Sequence, residues 1–279
     1  MCQLLGMNCN TPTDIIFSFT GFVPRAGKTD HHSDGWGIAF FEGPGVRHFV
    51  CPHPATESPL AELVKNWPIK STNVIAHIRK ATQGEITLEN CHPFVRELWG
   101  RYWVFAHNGD LKNFLPQLDG PFHPVGTTDS ERAFCYLLQE MRKHFGSSAP
   151  EQSALTAFLR QQCTYLASFG TFNLMLSHGN ALFVHCSTNL HYIVRQHPFA
   201  DAHLADEDVE VDFAEHAARN DRVAIIATSP LTKNEIWCQM SAGQFLVFVD
   251  GIPQDVPLTC HQENTNKQQL EKPSPAALD

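Results

Sequence analysis

The second residue of the chain is a cysteine, Cys2, preceded only by Met1. Cysteine is small enough that Met1 is readily trimmed, and its loss would leave Cys2 with a free α-amino group. An α-amine has a reference pKa of about 7.7–8.0 and a thiol about 8.5. One residue would then hold both a nucleophile and a base, with no His or Asp required to activate it. Three other stretches carry polar groups where apolar runs or loops end and side chains can point into a cleft. They are His77-Ile78-Arg79-Lys80-Ala81-Thr82, Ala106-His107-Asn108-Gly109 and Thr128-Asp129-Ser130-Glu131. Taken alone, each has a plainer meaning. Arg79 could be half of an ion pair, Asn108-Gly109 is a strong hairpin signal, and Asp129 suits the positive end of a helix dipole.

The elements that would position these groups can be read from hydrophobic period. Short β-rich runs occur at Trp36 to Phe41, Val74 to Ile78, Trp103 to Ala106, Phe172 to Ser177, Ala181 to Cys186, Leu190 to Val194, Val223 to Thr228 and Phe245 to Val249. Some alternate, as strands with one buried face do; others are apolar throughout. Two long helices are expected between these groups. The first follows Thr128-Asp129-Ser130-Glu131, which has capping-box spacing, and repeats Phe134, Leu137, Leu138, Met141 and Phe145 at helical period. The second follows Pro150 and carries Leu155, Phe158, Leu159, Leu166 and Phe169. Shorter helices are expected from Thr11-Pro12 to Phe19 and from Ser58-Pro59 to Trp67, each with a polar cap and a first-turn proline. Asp201 to Asp221 reads as an acidic surface loop with a short strand at Val209 to Val211. Strands, then helices, then strands again suit helices packed on antiparallel sheets better than a βαβ series.

Composition narrows the function classes. The 279 residues are 43% hydrophobic and 18% charged, which suits a globular protein with a sizeable core. A formal charge of −9 with no Lys or Arg stripe argues against nucleic acid and anionic membranes as partners. No run of about 20 apolar residues could span a bilayer, and the N-terminus lacks the pattern of a secretory signal. Nine cysteines, irregularly spaced and without Cys-x-x-Cys, read as reduced, mostly buried thiols in a cytoplasmic protein. Among them Cys9 has no evident catalytic partner and serves as a control for Cys2. The 16 histidines form no His-Glu-x-x-His and no zinc-type spacing, so no metal is expected. His77 and His107 are expected to hydrogen-bond near the cleft rather than to act as bases.

In order along the chain come Cys2-Gln3-Leu4-Leu5-Gly6, Asp34-Gly35-Trp36-Gly37, the His77 to Thr82 motif, Asn90-Cys91-His92-Pro93-Phe94, His107-Asn108-Gly109 and Thr128-Asp129-Ser130-Glu131. This series resembles the class II glutamine amidotransferases, a family of N-terminal nucleophile hydrolases, with the likeness running from Cys2 to about Gly251. The single-domain bacterial members of the YafJ type are the nearest in appearance. The resemblance implies an α+β fold, a four-layer α/β/β/α sandwich over residues 2–251; the polar stretch 252–279 reads, from its composition, as a flexible tail. It implies that Cys2 attacks the δ-carbon of the substrate and that the Asn108 side-chain amide and the Gly109 backbone N–H hold the oxyanion. Arg79 would grip the α-carboxylate with its planar fork, which Lys cannot copy. Asp129 would pair with the α-ammonium, and Thr82 and His92 would line or support the pocket.

On this reading the ligand is glutamine or a γ-glutamyl small molecule, handled without a cofactor through a γ-glutamyl thioester. Nothing after the last expected strand resembles a synthase domain. Three readings therefore stay open: a glutaminase feeding a separate ammonia-acceptor protein, a stand-alone hydrolase of γ-glutamyl amides or peptides, and a catalytically silent glutamine-binding protein. Oligomeric state is open, since no heptad or apolar surface stripe is legible.

Overall fold

Alternation along the strands sets the architecture. The computed structural model describes residues 2–82 and 84–254. In chain order the elements are β1 (Gln3–Thr13), α1 (Ile16–Phe22), β2 (Trp36–Glu42), β3 (Gly45–Cys51), α2 (Pro59–Asn66), β4 (Ser71–Ile78), β5 (Phe94–Leu98) and β6 (Arg101–Leu111). The long helices α3 (Asp129–Phe145) and α4 (Gln152–Ala167) follow, then β7 (Gly170–Ser177), β8 (Leu182–His185), β9 (His191–Gln196), β10 (Asp201–His203) and β11 (Glu210–Asp212). The last elements are β12 (Arg222–Ala227), β13 (Cys238–Gln239), β14 (Phe245–Val249) and β15 (Ile252–Pro253). One sheet has the order β13-β9-β12-β1-β4-β2-β3 and the other β15-β14-β8-β7-β6-β5, while β10 and β11 form a small hairpin. Neighbours in both large sheets are antiparallel.

Successive residues of a strand point to opposite faces, and here each face has its own apolar core. On β1, Leu5, Met7 and Cys9 join Phe19 and Phe22 of α1 and Ala61 and Val64 of α2 in one core. On β6, Trp103 and Phe105 join Phe134, Leu137 and Leu138 of α3 and Leu155, Leu159 and Leu166 of α4 in another. The alternate residues Leu4, Ile75, Val104, Ala106 and Met175 form a third core between the sheets. The layers are therefore helix, sheet, sheet, helix, the expected α/β/β/α sandwich.

Every strand expected from the sequence is present, with ends displaced by a few residues, and α2, α3 and α4 stand where periodicity puts them. The entrance to α3 differs in detail. Thr128 caps it by accepting from the Glu131 N–H at 3.2 Å. Glu131 accepts instead from Gly126 N at 2.7 Å and pairs with Arg96, tying the helix start to β5. The helix expected from Thr11 is a correction: Thr11 to Thr13 continue β1, and α1 begins only at Ile16. Thr11 and Pro12 look locally like a cap and a first-turn proline. The strand is held by tertiary pairing instead, with Asn8 opposite both Asn73 and Ala224 and a register shift before Thr13. The acidic stretch from Asp201 carries the hairpin β10–β11 and is anchored by Arg25, whose guanidinium meets Asp206 at 2.9 Å. Most of the tail expected over 252–279 falls outside the described residues, from 255 onward. Among the described residues no helix is long and apolar enough to cross a membrane.

Candidate active site

Cys2 stands on the inter-sheet face of the first strand, two residues before Leu4. Its Sγ accepts from the backbone N–H of Lys80 at 3.2 Å and lies 3.3 Å from the Lys80 carbonyl. The thiol is buried, and that burial pushes its pKa above the ordinary value; the Lys80 N–H and the Arg79 charge pull it down, while Asp129 pushes it up. Both predicted substrate-binding charges are thus felt at the predicted nucleophile. Cys9, on the opposite face of β1, is also pushed up, to about 12, chiefly by burial.

Asn108 and Gly109 do not form the hairpin turn that the dipeptide suggests. They lie within β6, paired with Asn173 and Phe172 of β7. Asn108 Nδ2 donates to the carbonyl of Cys2 at 2.6 Å, across 106 residues of sequence, which leaves its second hydrogen uncommitted by that bond. Asn108 Oδ1 is buried without a partner among the described residues, as a group kept for a ligand can be. The direction of the Gly109 N–H follows from strand alternation. Lys112 N bonds to Phe169 O on the β7 side, whereas Leu111 N turns away from β7 to Asp129 Oδ2 at 2.8 Å. Gly109 has the parity of Leu111, so its N–H also turns away from β7, toward the side on which Asp129 stands. No side chain fits at this position. A Cβ on Gly109 would sit 1.8 Å from Thr171 O and 2.4 Å from His107 Nε2.

Arg79 immediately follows β4. Its backbone is strapped to the Asp34-Gly35 turn, through Arg79 N to Gly35 O at 2.8 Å and Asp34 N to Arg79 O at 3.2 Å. Asp34 Oδ2 adds a bond from Ala81 N at 2.7 Å. Gly35 can make this turn because its φ is +109° and a Cβ would meet Cys91 Sγ at 2.8 Å. The buried Arg79 guanidinium donates to Glu85 O at 2.9 Å and Gly84 O at 3.3 Å. Asp129 is buried in the first turn of α3 and accepts from Leu111 N through Oδ2.

Of the two residues expected to line or support the pocket, Thr82 is exposed in the loop after Arg79. His92 is buried, with Nδ1 3.2 Å from His77 Nδ1 and ring centroids 4.2 Å apart. Burial pushes the pKa values of His77, His92 and His107 below the ordinary imidazole range, so all three are neutral at pH 7. His107 points the other way, to Ser130 Oγ at 2.8 Å and Thr171 O at 3.0 Å. Sequence reasoning passed over Asn173, whose wholly buried amide donates to Asn108 O and accepts from Ser187 N and Thr188 N. A lone polar residue inside the apolar Phe172–Ser177 run is the signal that could have found it. The Lys80 N–H at the thiol is a main-chain contact and leaves no such trace. Among the described residues no group of three or more His, Cys, Asp or Glu could hold a metal ion.

A family model described as "Glutamine amidotransferases class-II" matches residues 1–276. The chain is 55% identical over 251 residues to a Haemophilus influenzae protein named "Putative glutamine amidotransferase", an alignment covering 90% of this chain and 85% of that one. It is 49% identical to the Escherichia coli "Putative glutamine amidotransferase YafJ", over 90% of this chain and 98% of the relative. The crystal structure of a "predicted glutamine amidotransferase" from Pseudomonas aeruginosa superposes with a TM-score of 0.73 at 42% identity, covering 91% of this chain and all of that one. Six ordered motifs, a four-layer sandwich and matches along nearly the whole chain agree, and the protein belongs to the class II glutamine amidotransferases.

Proposed function

We propose that the protein is a glutaminase-type enzyme in which Cys2, freed of Met1, opens the side-chain amide of glutamine. The observation that carries this reading is the meeting of Cys2, Arg79, Asn108 and Asp129 at one end of the inter-sheet layer. A buried thiol with a raised pKa is protonated at pH 7, so attack needs a base, and the α-amine of a processed Cys2 supplies one. The thiol proton passes to that amine as Sγ bonds to Cδ. The oxyanion takes the second hydrogen of Asn108 Nδ2 and the Gly109 N–H. Such donors act most strongly where water is excluded. Collapse breaks the Cδ–N bond, and ammonia leaves with the proton returned by the amine. Water then adds to the γ-glutamyl thioester by the same route in reverse and releases glutamate. Arg79 and Asp129, of opposite sign, suit the carboxylate and ammonium of a free amino-acid end.

Intact-mass measurement of the purified protein and a glutamate-release screen over glutamine and γ-glutamyl amides and peptides test this together. The expected result is a mature chain beginning at Cys2 and glutamate release from glutamine. A retained Met1 in an active enzyme would exclude the amine as base. Preference for a γ-glutamyl peptide over glutamine would move the assignment to a stand-alone hydrolase.

A further inference from the structure

We infer that Asn90 is a positioning residue that sets the place of the Arg79 carboxylate clamp relative to the Asp129 helix terminus, an inference that rests on the function proposed above. Asn90 is buried, and its side chain spans two segments. Nδ2 lies within hydrogen-bond distance of Glu85 O (3.1 Å), Thr87 Oγ1 (3.2 Å) and Thr127 Oγ1 (3.2 Å). Oδ1 accepts from Thr127 N at 2.9 Å. Glu85 O is also an acceptor for the Arg79 guanidinium at 2.9 Å. One carbonyl is therefore shared between the clamp and Asn90, and the other end of Asn90 grips the residue just before the Thr128 cap of α3. Asp129 is the first residue of that helix.

The packing is as close as the bonding. A Cβ on Gly126 would stand 2.2 Å from Asn90 Oδ1, and one on Gly84 3.0 Å from Thr127 Oγ1 and 3.3 Å from Asn90 Nδ2. These approaches bring the Gly84–Thr87 loop and the Gly126–Thr128 segment together at one amide. Without the Nδ2 donors, the Glu85 carbonyl loses a partner, and the loop that orients the guanidinium is free to shift against Asp129. Asn90 has no need to touch the substrate. It fixes the spacing at which a carboxylate and an ammonium on one carbon are recognised together.

Asn90→Asp keeps the acceptor for Thr127 N and removes the donors. Three amides distinguish its effects: glutamine, glutaric monoamide (carboxylate without ammonium) and 4-aminobutanamide (ammonium without carboxylate). The expected result is a KM for glutamine and for glutaric monoamide raised about tenfold, the scale of one lost hydrogen bond to a buried group. The kcat for glutamine and the kcat/KM for 4-aminobutanamide stay within about twofold. Thr127→Val, which removes only the Oγ1 contact, shifts the same ratio in the same direction by a smaller factor and serves if Asn90→Asp does not fold. An equal fall for all three amides, or an unchanged glutamine KM in both variants, overturns the positioning role alone. Wild-type glutamate release that survives Cys2→Ala overturns the proposed function and this role with it.

Discussion

The space between the two sheets is apolar in its middle, and the strands that line it turn polar toward Cys2, as they do again toward Asn8 and Asn73 at the far end. On β1 the inner face runs from Leu4 to Cys2, on β4 from Ile75 to His77 with Arg79 following the strand, on β6 from Val104 and Ala106 to Asn108, and on β7 from Met175 to Asn173. Each strand changes from a packing residue to a polar one within two or four positions on the way to Cys2. The apolar middle holds the sandwich together through burial worth about 25 cal/mol per Å². The polar end at Cys2 has its groups paired across segments: Asn108 with the Cys2 carbonyl, Asn173 with Asn108, Lys80 N–H with the thiol. The packed middle thus holds the polar groups around Cys2 in place. That division predicts different symptoms for mutations a few ångströms apart.

The largest effect is expected at the proposed nucleophile. Cys2→Ala should lower glutamate release by about a thousandfold or more, while Cys9→Ala, on the other face of the same strand, should leave turnover within about twofold. Equal activity in the two variants would remove Cys2 from the mechanism. Asn108→Ala should next cost about 3–4 kcal/mol of activation free energy, seen in kcat of steady-state assays. A loss confined to KM would reassign Asn108 to binding. In the apolar middle the sign of the comparison reverses. Met175→Ala should cost about 3 kcal/mol of stability by denaturant melts, with the KM for glutamine unchanged.

A buried histidine on the helix-facing side of the second sheet, outside the inter-sheet layer, gives a pH test. His178 packs against Trp103 with ring centroids 5.0 Å apart, and burial holds its pKa down from 6.5 to about 4. An unfolded chain takes up that proton near pH 6.5 and the folded one only near 4. The stability contributed is therefore full above pH 6.5 and is lost as pH falls toward 4, up to about 3 kcal/mol. His178→Phe should flatten the acid limb of the stability profile without moving KM; an unaltered limb would show that other buried histidines dominate it. The smallest effect expected is for Arg79→Lys, which keeps the charge and loses the fork. KM for glutamine should rise about tenfold, roughly 1.4 kcal/mol, and an unchanged KM would remove the carboxylate clamp.

Local signals carried the reading furthest where structure is local. The period of Phe134, Leu137, Leu138 and Met141 and the Thr128 cap mark α3 because a helix closes its own hydrogen bonds and buries one stripe. They carried it least where long-range pairing overrides short-range preference. Asn108-Gly109 is a turn by propensity and a strand by its pairing with β7, and Thr11 to Thr13 form the end of a strand rather than the start of a helix.

By itself the sequence determined which groups the protein has for chemistry, the faces of its main elements and, through six ordered motifs, the family to which it belongs. The tertiary structure alone decided that the Asn108 side chain meets the Cys2 carbonyl, that Lys80 meets the thiol through its main chain, that Asp129 takes the Leu111 N–H, and that Asn90 ties two segments beside Arg79. Those contacts join residues far apart in the chain. Their formation depends on sheet register and loop closure, which no short window of residues encodes.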